Sequence, residues 1–132
     1  MGSPTQKLHV DGNIYSTGAV TGLVATTSDE RKKNLIERVL QLTVEQIADA
    51  PTVRFRWKDK SMPQELQVGS IAQYWKKVMP EVVLEDVNEK DTLSLQYGVA
   101  AMISAIVTAR EVVDLKRRVA ELEKEVERLK SA

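Results

Sequence analysis

The sequence predicts a small α+β fold that ends in a long helix. Three observations lead to this prediction: an alternating strand pattern at residues 53–57, two apolar runs around a polar turn at residues 82–97, and a heptad repeat near the C-terminus. Of the 132 residues, only 5% are aromatic and 29% are charged. Because so few aromatic side chains are available, a single chain can bury only a small hydrophobic core, and this favours oligomerisation.

Composition excludes several classes of function. The 19 basic residues balance the 19 acidic ones, so we expect no nucleic-acid partner and no anionic membrane surface. The chain has no cysteine, which removes disulfides and thiolate metal sites. It has no apolar run of about 18 residues, the length that a membrane span needs. We therefore expect no membrane partner, no metal and no cofactor.

Residues 1–27 are predicted to be a short β segment at the end of a larger β-rich fibre. Residues 5–27 are rich in Thr, Gly, Val and Ser, with turn signals at Asp11-Gly12-Asn13 and Thr17-Gly18. Residues 1–4 resemble a remnant of expression rather than native sequence. The remaining residues, 28–132, form the predicted second domain.

Helix and strand signals alternate through the middle of the chain. Apolar residues at spacings of three and four predict a helix over residues 29–48: Leu35, Ile36, Val39, Leu40, Val44 and Ile47. A strand at residues 53–57 has Val53, Phe55 and Trp57 on one face. A polar loop over 59–67, a helix over 70–79 and a hairpin that pairs 82–87 with 92–97 complete the predicted domain. Trp57 and Trp75 are predicted to be core or interface anchors.

The last helix, predicted over residues 97–130, carries a coiled-coil pattern at residues 110–130. The heptad a and d positions form a seam of Val112, Leu115, Val119, Leu122, Val126 and Leu129. The g and e residues that would face each other in a parallel pair are opposite in charge: Glu111 with Lys116, Arg118 with Glu123, and Glu125 with Lys130. This predicts a parallel homo-oligomer. The number of chains in the coiled coil stays open, since β-branched residues at a with Leu at d favour dimers. The alternative to a coiled coil is a charged helix that packs on its own domain.

Ser28 is the candidate nucleophile, and a lysine close behind it is the candidate base. A serine hydroxyl needs a base to take its proton, and a lysine serves only as a neutral amine. Neighbouring cations and burial both favour that neutral form. If a helix starts at Ser28, Lys32 lies on its face, whereas Lys33 is turned away by about 140°. Alternatively, Ser28 is only the cap of that helix.

The run Ser28-Asp29-Glu30-Arg31-Lys32-Lys33-Asn34 resembles the opening motif of the intramolecular chaperone domains of phage tail spikes and fibres. These endosialidase-type chaperones are classed as serine peptidase family S74. Further motifs resemble the family in the same order: Phe55-Arg56-Trp57-Lys58, Gly69 to Gln73, Val78 to Val83, and Gln96-Tyr97 to Leu115. The resemblance covers about residue 27 to the C-terminus. Tyr74-Trp75 departs from the family pattern, which puts local packing in question.

The resemblance implies a chaperone that forms a homotrimer at the end of a fibre, holds the chains in register and then cuts itself off. Its client is its own upstream segment, residues 1–27. By the family motif, Ser28 is the nucleophile and Lys33 the general base, with Asp29 and Arg31 shaping the site. The implied location is the host cytoplasm during virion assembly, and the mature virion is expected to lack the released chaperone.

The position of the cut follows from ring size. Attack by Ser28 Oγ on the Thr27 carbonyl passes through a five-membered ring and gives an ester that water can hydrolyse. Attack on its own carbonyl needs a strained four-membered ring. Cleavage at Thr27-Ser28 is therefore expected, with Ser28-Asp29 as the second choice. Two alternatives remain: a non-catalytic coiled-coil oligomerisation module, and the same module on a non-phage fibrous or membrane-tethered protein.

Overall fold

The computed structural model describes residues 5, 7–35, 37 and 41–132. The chain divides into two units: Met1–Leu35 with Phe55–Gln67, and Ile36–Arg54 with Val68–Ala132. Mixed helices and a small antiparallel hairpin, followed by a long C-terminal helix, confirm the predicted α+β class.

The second unit holds a core cluster contributed by helices, a loop and a hairpin. Its buried members are Leu42, Trp75, Met79, Val82 and Ala100. Half-buried side chains from the flanking elements pack against them, among them Ile47, Leu95 and Val107. All five buried residues are apolar, so the hydrophobic effect is the main force that stabilises this unit.

Helix α1 spans Val44–Asp49 and begins at a capping box. Thr43 Oγ1 accepts from the Gln46 backbone N–H, and Gln46 Oε1 accepts from the Thr43 backbone N–H. The predicted helix over residues 29–48 is therefore wrong in its extent. Of its apolar positions, Ile36, Val39 and Leu40 lie outside the described residues, and Leu35 is exposed in non-helical backbone.

Among the described residues, four short strands form two sheets of two strands each. Strand β1, Val53–Phe55, pairs with β2, Gln67–Gly69. The strand predicted at residues 53–57 is confirmed but stops before Trp57, and β2 was expected to be the end of a loop. Strands β3, Val83–Glu85, and β4, Leu93–Leu95, pair antiparallel with Leu84 opposite Ser94, which confirms the predicted hairpin.

Helix α2 spans Ala72–Val78 and leads directly into a 3₁₀ turn, Pro80–Val82. The helix confirms the prediction for residues 70–79 to within two residues at its start. The two aromatic residues that depart from the family pattern, Tyr74 and Trp75, each donate a hydrogen bond to another residue of the domain. Tyr74 Oη donates to the Gln46 carbonyl, and Trp75 Nε1 donates to Ser70 Oγ at 2.9 Å. Trp75 thus anchors α2 in the core cluster.

Helix α3 spans Tyr97–Lys130, with the bounds that the sequence predicts. Its first part packs on the core cluster through Ala100, Ile103 and Val107. Farther along, the six seam residues are all exposed in the single chain. Arg117 forms ion pairs with Asp114 and Glu121. In the heptad numbering these three are c and f residues, so this ion-pair network lies away from the seam.

The N-terminal segment, residues 7–27, is exposed along its whole length. None of its residues belongs to a strand, so the predicted short β segment is wrong for the single chain. A strand requires a neighbour to accept and donate its backbone hydrogen bonds, and this segment has none there. Among the described residues, no helix combines the length and apolar character needed to cross a membrane.

Candidate active site

Ser28 lies at the start of a tight turn, which we name the dyad turn (residues 28–33). Its centre is a 3₁₀ turn of three residues, Glu30–Lys32. Lys32 N–H donates to the Asp29 carbonyl, and Lys33 N–H donates to the Glu30 carbonyl. These two bonds hold residues 29–33 in one tight turn.

The two ends of the dyad turn meet through their side chains. Lys33 Nζ donates a hydrogen bond to Ser28 Oγ at 2.6 Å. This distance is within the range in which a proton can pass between a nucleophile and its base. The structure therefore brings together the two residues that the family motif names, although their catalytic roles stay a prediction.

The backbone explains why helical spacing gave a different candidate. Spacing on an α-helix places Lys32, at i+4, on the face of Ser28. Here the α-helix is absent: Asp29 and Lys33 both have extended backbone, with ψ of 126° and 139°, on either side of the 3₁₀ turn. In this tighter turn Lys33, at i+5, contacts Ser28 Oγ instead of Lys32.

Asp29, not Ser28, caps the turn. Asp29 Oδ1 accepts from the Arg31 backbone N–H at 2.9 Å, the usual bond of an N-cap. The interpretation of Ser28 as a helix cap is therefore wrong. Its hydroxyl is left to interact with Lys33.

Arg31 completes the turn by pairing with the capping carboxylate. Its Nε and Nη2 donate to the two oxygens of Asp29, with the shortest contact at 2.7 Å. The Arg31 guanidinium holds the pKa of the Asp29 carboxyl below its ordinary value of 3.8, and the backbone N–H of Arg31 acts in the same direction. Asp29 in turn raises the pKa of Arg31. The two residues lock the turn but do not touch Ser28 Oγ or Lys33 Nζ through any hydrogen bond of the described residues.

Ser28 and Lys33 are both exposed in the single chain. A general base must accept the proton of the hydroxyl, and a lysine can do so only as the neutral amine. Loss of the surrounding water is the usual way in which proteins favour the neutral amine. The two side chains are thus in contact, but the site is open to solvent.

Other sites of the described residues offer little chemistry. No group of three or more His, Asp or Glu side chains comes together there as a metal site. A shallow depression of about 300 Å³ is lined by Gln73, Lys76, Lys77, Glu85, Asp91 and Leu93. Lys76 and Glu85 pair with each other across it at 3.0 Å, so these two charges are already matched.

The comparison with curated proteins gives no match for the chain. Residues 28–84 match the family model Peptidase_S74, which is described as chaperone of endosialidase. The matched region starts at Ser28 and includes the dyad turn, α1, the whole β1–β2 sheet, α2 and the first two residues of β3. Over residues 28–84, the chain is therefore similar to the peptidase S74 family, the chaperones of endosialidase.

Proposed function

We propose that this chain is a self-cleaving intramolecular chaperone at the end of a phage tail fibre or spike. It forms a homotrimer, holds the upstream chains in register and releases itself by autoproteolysis beside Ser28. The observation that supports this most is the 2.6 Å contact between Lys33 Nζ and Ser28 Oγ at the first residue of the family match. The reaction belongs to host cytoplasm during assembly, and the released domain is absent from the finished virion.

The proposed chemistry is an acyl shift followed by hydrolysis. Neutral Lys33 takes the proton of Ser28 Oγ, and the oxygen attacks the Thr27 carbonyl carbon through a five-membered ring. The bond from that carbon to the Ser28 nitrogen breaks, and Lys33 returns the proton to the nitrogen. Water then hydrolyses the ester, so that Thr27 gains a carboxylate and Ser28 becomes a new N-terminus. Scission at Ser28-Asp29 requires the smaller ring and is disfavoured.

Assembly is the proposed trigger. The seam residues are exposed in the single chain, and contiguous exposed apolar side chains are typical of an interaction surface. A parallel coiled coil covers them and pairs the opposite charges at g and e. The neighbouring copies then remove water from the dyad turn, which favours the neutral amine of Lys33.

A mass measurement of freshly expressed protein tests the cleavage. The wild-type chain is expected to give two fragments with a break between Thr27 and Ser28. Ser28→Ala and Lys33→Ala are expected to stay intact. Lys32→Ala is the matched control, since it removes the neighbouring amine without removing the contact to Ser28, and it is expected to cleave.

The same measurement distinguishes the non-catalytic oligomerisation module. An intact wild-type chain that light scattering shows to be a trimer contradicts autoproteolysis and leaves only the structural role. Cleavage that persists in Lys33→Ala but stops in Lys32→Ala contradicts the assignment of the base. A dimer by light scattering contradicts the proposed trimer whatever the cleavage result.

A further inference from the structure

The charges beside the seam alternate in sign from one heptad to the next. We name these six residues the flanking charges: Glu111, Arg118 and Glu125 at g, and Lys116, Glu123 and Lys130 at e. The g positions are negative, positive and negative in turn, and the e positions are the reverse. Parallel pairing alone would be satisfied equally well if every g residue were acidic and every e residue basic. The alternation is therefore more than parallel pairing requires.

The structure leaves the flanking charges available to another chain. Five of the six are exposed and none is buried. Among the described residues, only Glu125 of the six forms an ion pair within its own helix, with Arg128. The c and f residues differ, since Arg117 pairs with both Asp114 and Glu121. Charges away from the seam are thus matched inside the helix, whereas most of those beside it are not.

The apolar seam by itself discriminates poorly against a chain displaced by one heptad. Its a positions are all valine and its d positions are all leucine. Helix α3 is continuous from Tyr97 to Lys130, and seven residues rise about 10.5 Å along it. A chain displaced by that distance again presents valine at a and leucine at d to its neighbours. Only the seam layers at the two ends lose their partners.

The flanking charges distinguish the aligned arrangement from the displaced one. In aligned parallel chains each g residue faces the e residue five positions later, and all three pairs are opposite in sign. After displacement by one heptad, the charged residues that face each other are of like sign in both directions: Glu111 with Glu123 and Arg118 with Lys130, or Arg118 with Lys116 and Glu125 with Glu123. Every charged pair that was attractive is replaced by a repulsive one or is lost.

We propose that the alternating flanking charges fix the axial register of the assembled chains, because they attract a second copy that is aligned and repel one that is displaced by a heptad. This inference rests on the proposed assembly and names the residues that align its chains. The apolar seam supplies most of the affinity, and the flanking charges supply the alignment.

A charge exchange that keeps every aligned attraction tests the proposal. In Arg118→Glu with Glu123→Arg, which we name the middle exchange, composition and net charge are unchanged. Every g residue is then acidic and every e residue basic, so the displaced pairs become as attractive as the aligned ones. The middle exchange is expected to keep the mass that light scattering gives for the wild type and to lose the discrimination against displaced chains.

Disulfide trapping measures the register. The chain has no cysteine, so an introduced cysteine is its only thiol. Chains with Leu115→Cys and isotopically labelled chains with Leu122→Cys, both in the Ser28→Ala background, are unfolded together and refolded in a glutathione buffer. In aligned chains positions 115 and 122 are a heptad apart, beyond the roughly 7 Å between Cα atoms that a disulfide spans. A disulfide between unlike chains, identified by its mass, therefore reports displacement by one heptad.

The middle exchange is expected to raise the fraction of disulfides between unlike chains by at least about fivefold over the wild-type charges, since several weak exposed pairs change sign together. Glu111→Lys with Lys116→Glu leaves one displaced pair attractive and one repulsive at each interface, and an intermediate fraction is expected. Lys124→Glu with Glu127→Lys is the matched control. It exchanges two exposed charges of α3 outside the flanking positions, and it is expected to give the wild-type fraction.

Three results overturn the proposal: equal fractions for the middle exchange and the wild-type charges, an equal rise in the matched control, or wild-type charges with which unlike chains cross-link as often as like ones. Cleavage of the chain without introduced cysteines is measured separately. A trimer that cleaves but whose register does not respond to the middle exchange contradicts the role of the flanking charges and leaves the proposed function standing. An assembly that the flanking charges align but that never cleaves contradicts the autoprotease and leaves this inference standing.

Discussion

At the scale of single residues, the dyad turn separates the two residues proposed to react, Ser28 and Lys33, from the residue that shapes the backbone, Asp29. Asp29 accepts the Arg31 N–H and pairs with its guanidinium, and so fixes the 3₁₀ turn. Lys33 Nζ contacts Ser28 Oγ across this turn. We therefore propose that Asp29 is a positioning residue, which orients the Ser28 hydroxyl through the backbone of the turn.

Substitution of Asp29 tests this role. Asp29→Ala removes the cap and the ion pair. We expect cleavage to slow by roughly fivefold, which corresponds to the ~1 kcal/mol of stability that a lost helix cap typically costs. Asp29→Asn keeps an acceptor for the Arg31 N–H and is expected to lie between Ala and the wild type. The rate is measured by mass spectrometry of assembled chains.

Asp59→Ala is the matched control for Asp29→Ala. Asp59 also accepts a backbone N–H two residues ahead, from Ser61, but it lies outside the dyad turn. Cleavage at the wild-type rate is expected. If Asp29→Ala and Asp59→Ala slow cleavage equally, the effect is a general loss of stability and the positioning role is wrong.

The charge of Asp29 gives a defined dependence on pH. Because Arg31 lowers the pKa of Asp29, the carboxylate strengthens the folded turn at pH above 3.8, and this contribution is lost as the pH falls through the lowered value. NMR titration of the Asp29 carboxyl is expected to give a midpoint below 3.8. In Arg31→Ala the midpoint is expected to rise towards 3.8. An unchanged midpoint would contradict the ion pair as the main cause of the lowered pKa.

At the scale of elements, local signals that agree with tertiary packing were predictable, and those that conflict with it were not. Helix α3 and the β3–β4 hairpin followed from periodicity and from a polar turn. Apolar spacing predicted α1 about fifteen residues too long, although Thr43 and Gln46 carry the sequence signature of a capping box. The contact of Lys33 with Ser28 could not be derived from spacing, because helical geometry does not describe a 3₁₀ turn between extended residues.

The two tryptophans were predicted to have the same role, and the structure separates them. Trp75 is 6% exposed and Trp57 is 40% exposed. We expect Trp75→Ala to lower the free energy of unfolding by about 3–5 kcal/mol, since it empties the centre of the core cluster. Trp57→Ala loses its edge-to-face contact with Phe55, and its expected cost is about 1 kcal/mol.

Urea denaturation in the Ser28→Ala background, at one protein concentration, measures both tryptophan variants, since oligomers unfold in a concentration-dependent way. Equal losses for the two variants contradict the assignment of Trp75 as the anchor of α2. A larger loss for Trp57→Ala identifies Trp57 as a contact that only the assembled chains make.

At the scale of the whole molecule, a single copy leaves two sets of apolar residues exposed, one in the N-terminal segment and one along the seam. Both are explained if the protein functions as an assembly. The intrahelical pair of Arg128 with Glu125 in the single chain competes with the predicted pair of Glu125 with Lys130 on a neighbour. Exposed pairs of this kind contribute about 0–1 kcal/mol, so the exchange of partners costs little.

A charged substitution in the seam tests whether cleavage depends on assembly. Val119→Asp buries a carboxylate among the packed a residues, and we expect light scattering to give a monomer and cleavage to fall by about tenfold or more. Val113→Asp is the matched control, since Val113 is also exposed, at 68%, but lies outside the a and d positions. It is expected to assemble and cleave normally. Normal cleavage by monomeric Val119→Asp contradicts assembly as the trigger.

The length of α3 has a consequence for when the protein can act. After Val107 the helix continues for about 23 residues, or roughly 35 Å, without joining the core cluster. A helix without tertiary contacts is only marginally stable in water, so we expect the proposed assembly to stabilise this portion. If assembly triggers cleavage as proposed, a low concentration of newly synthesised chains delays this irreversible step.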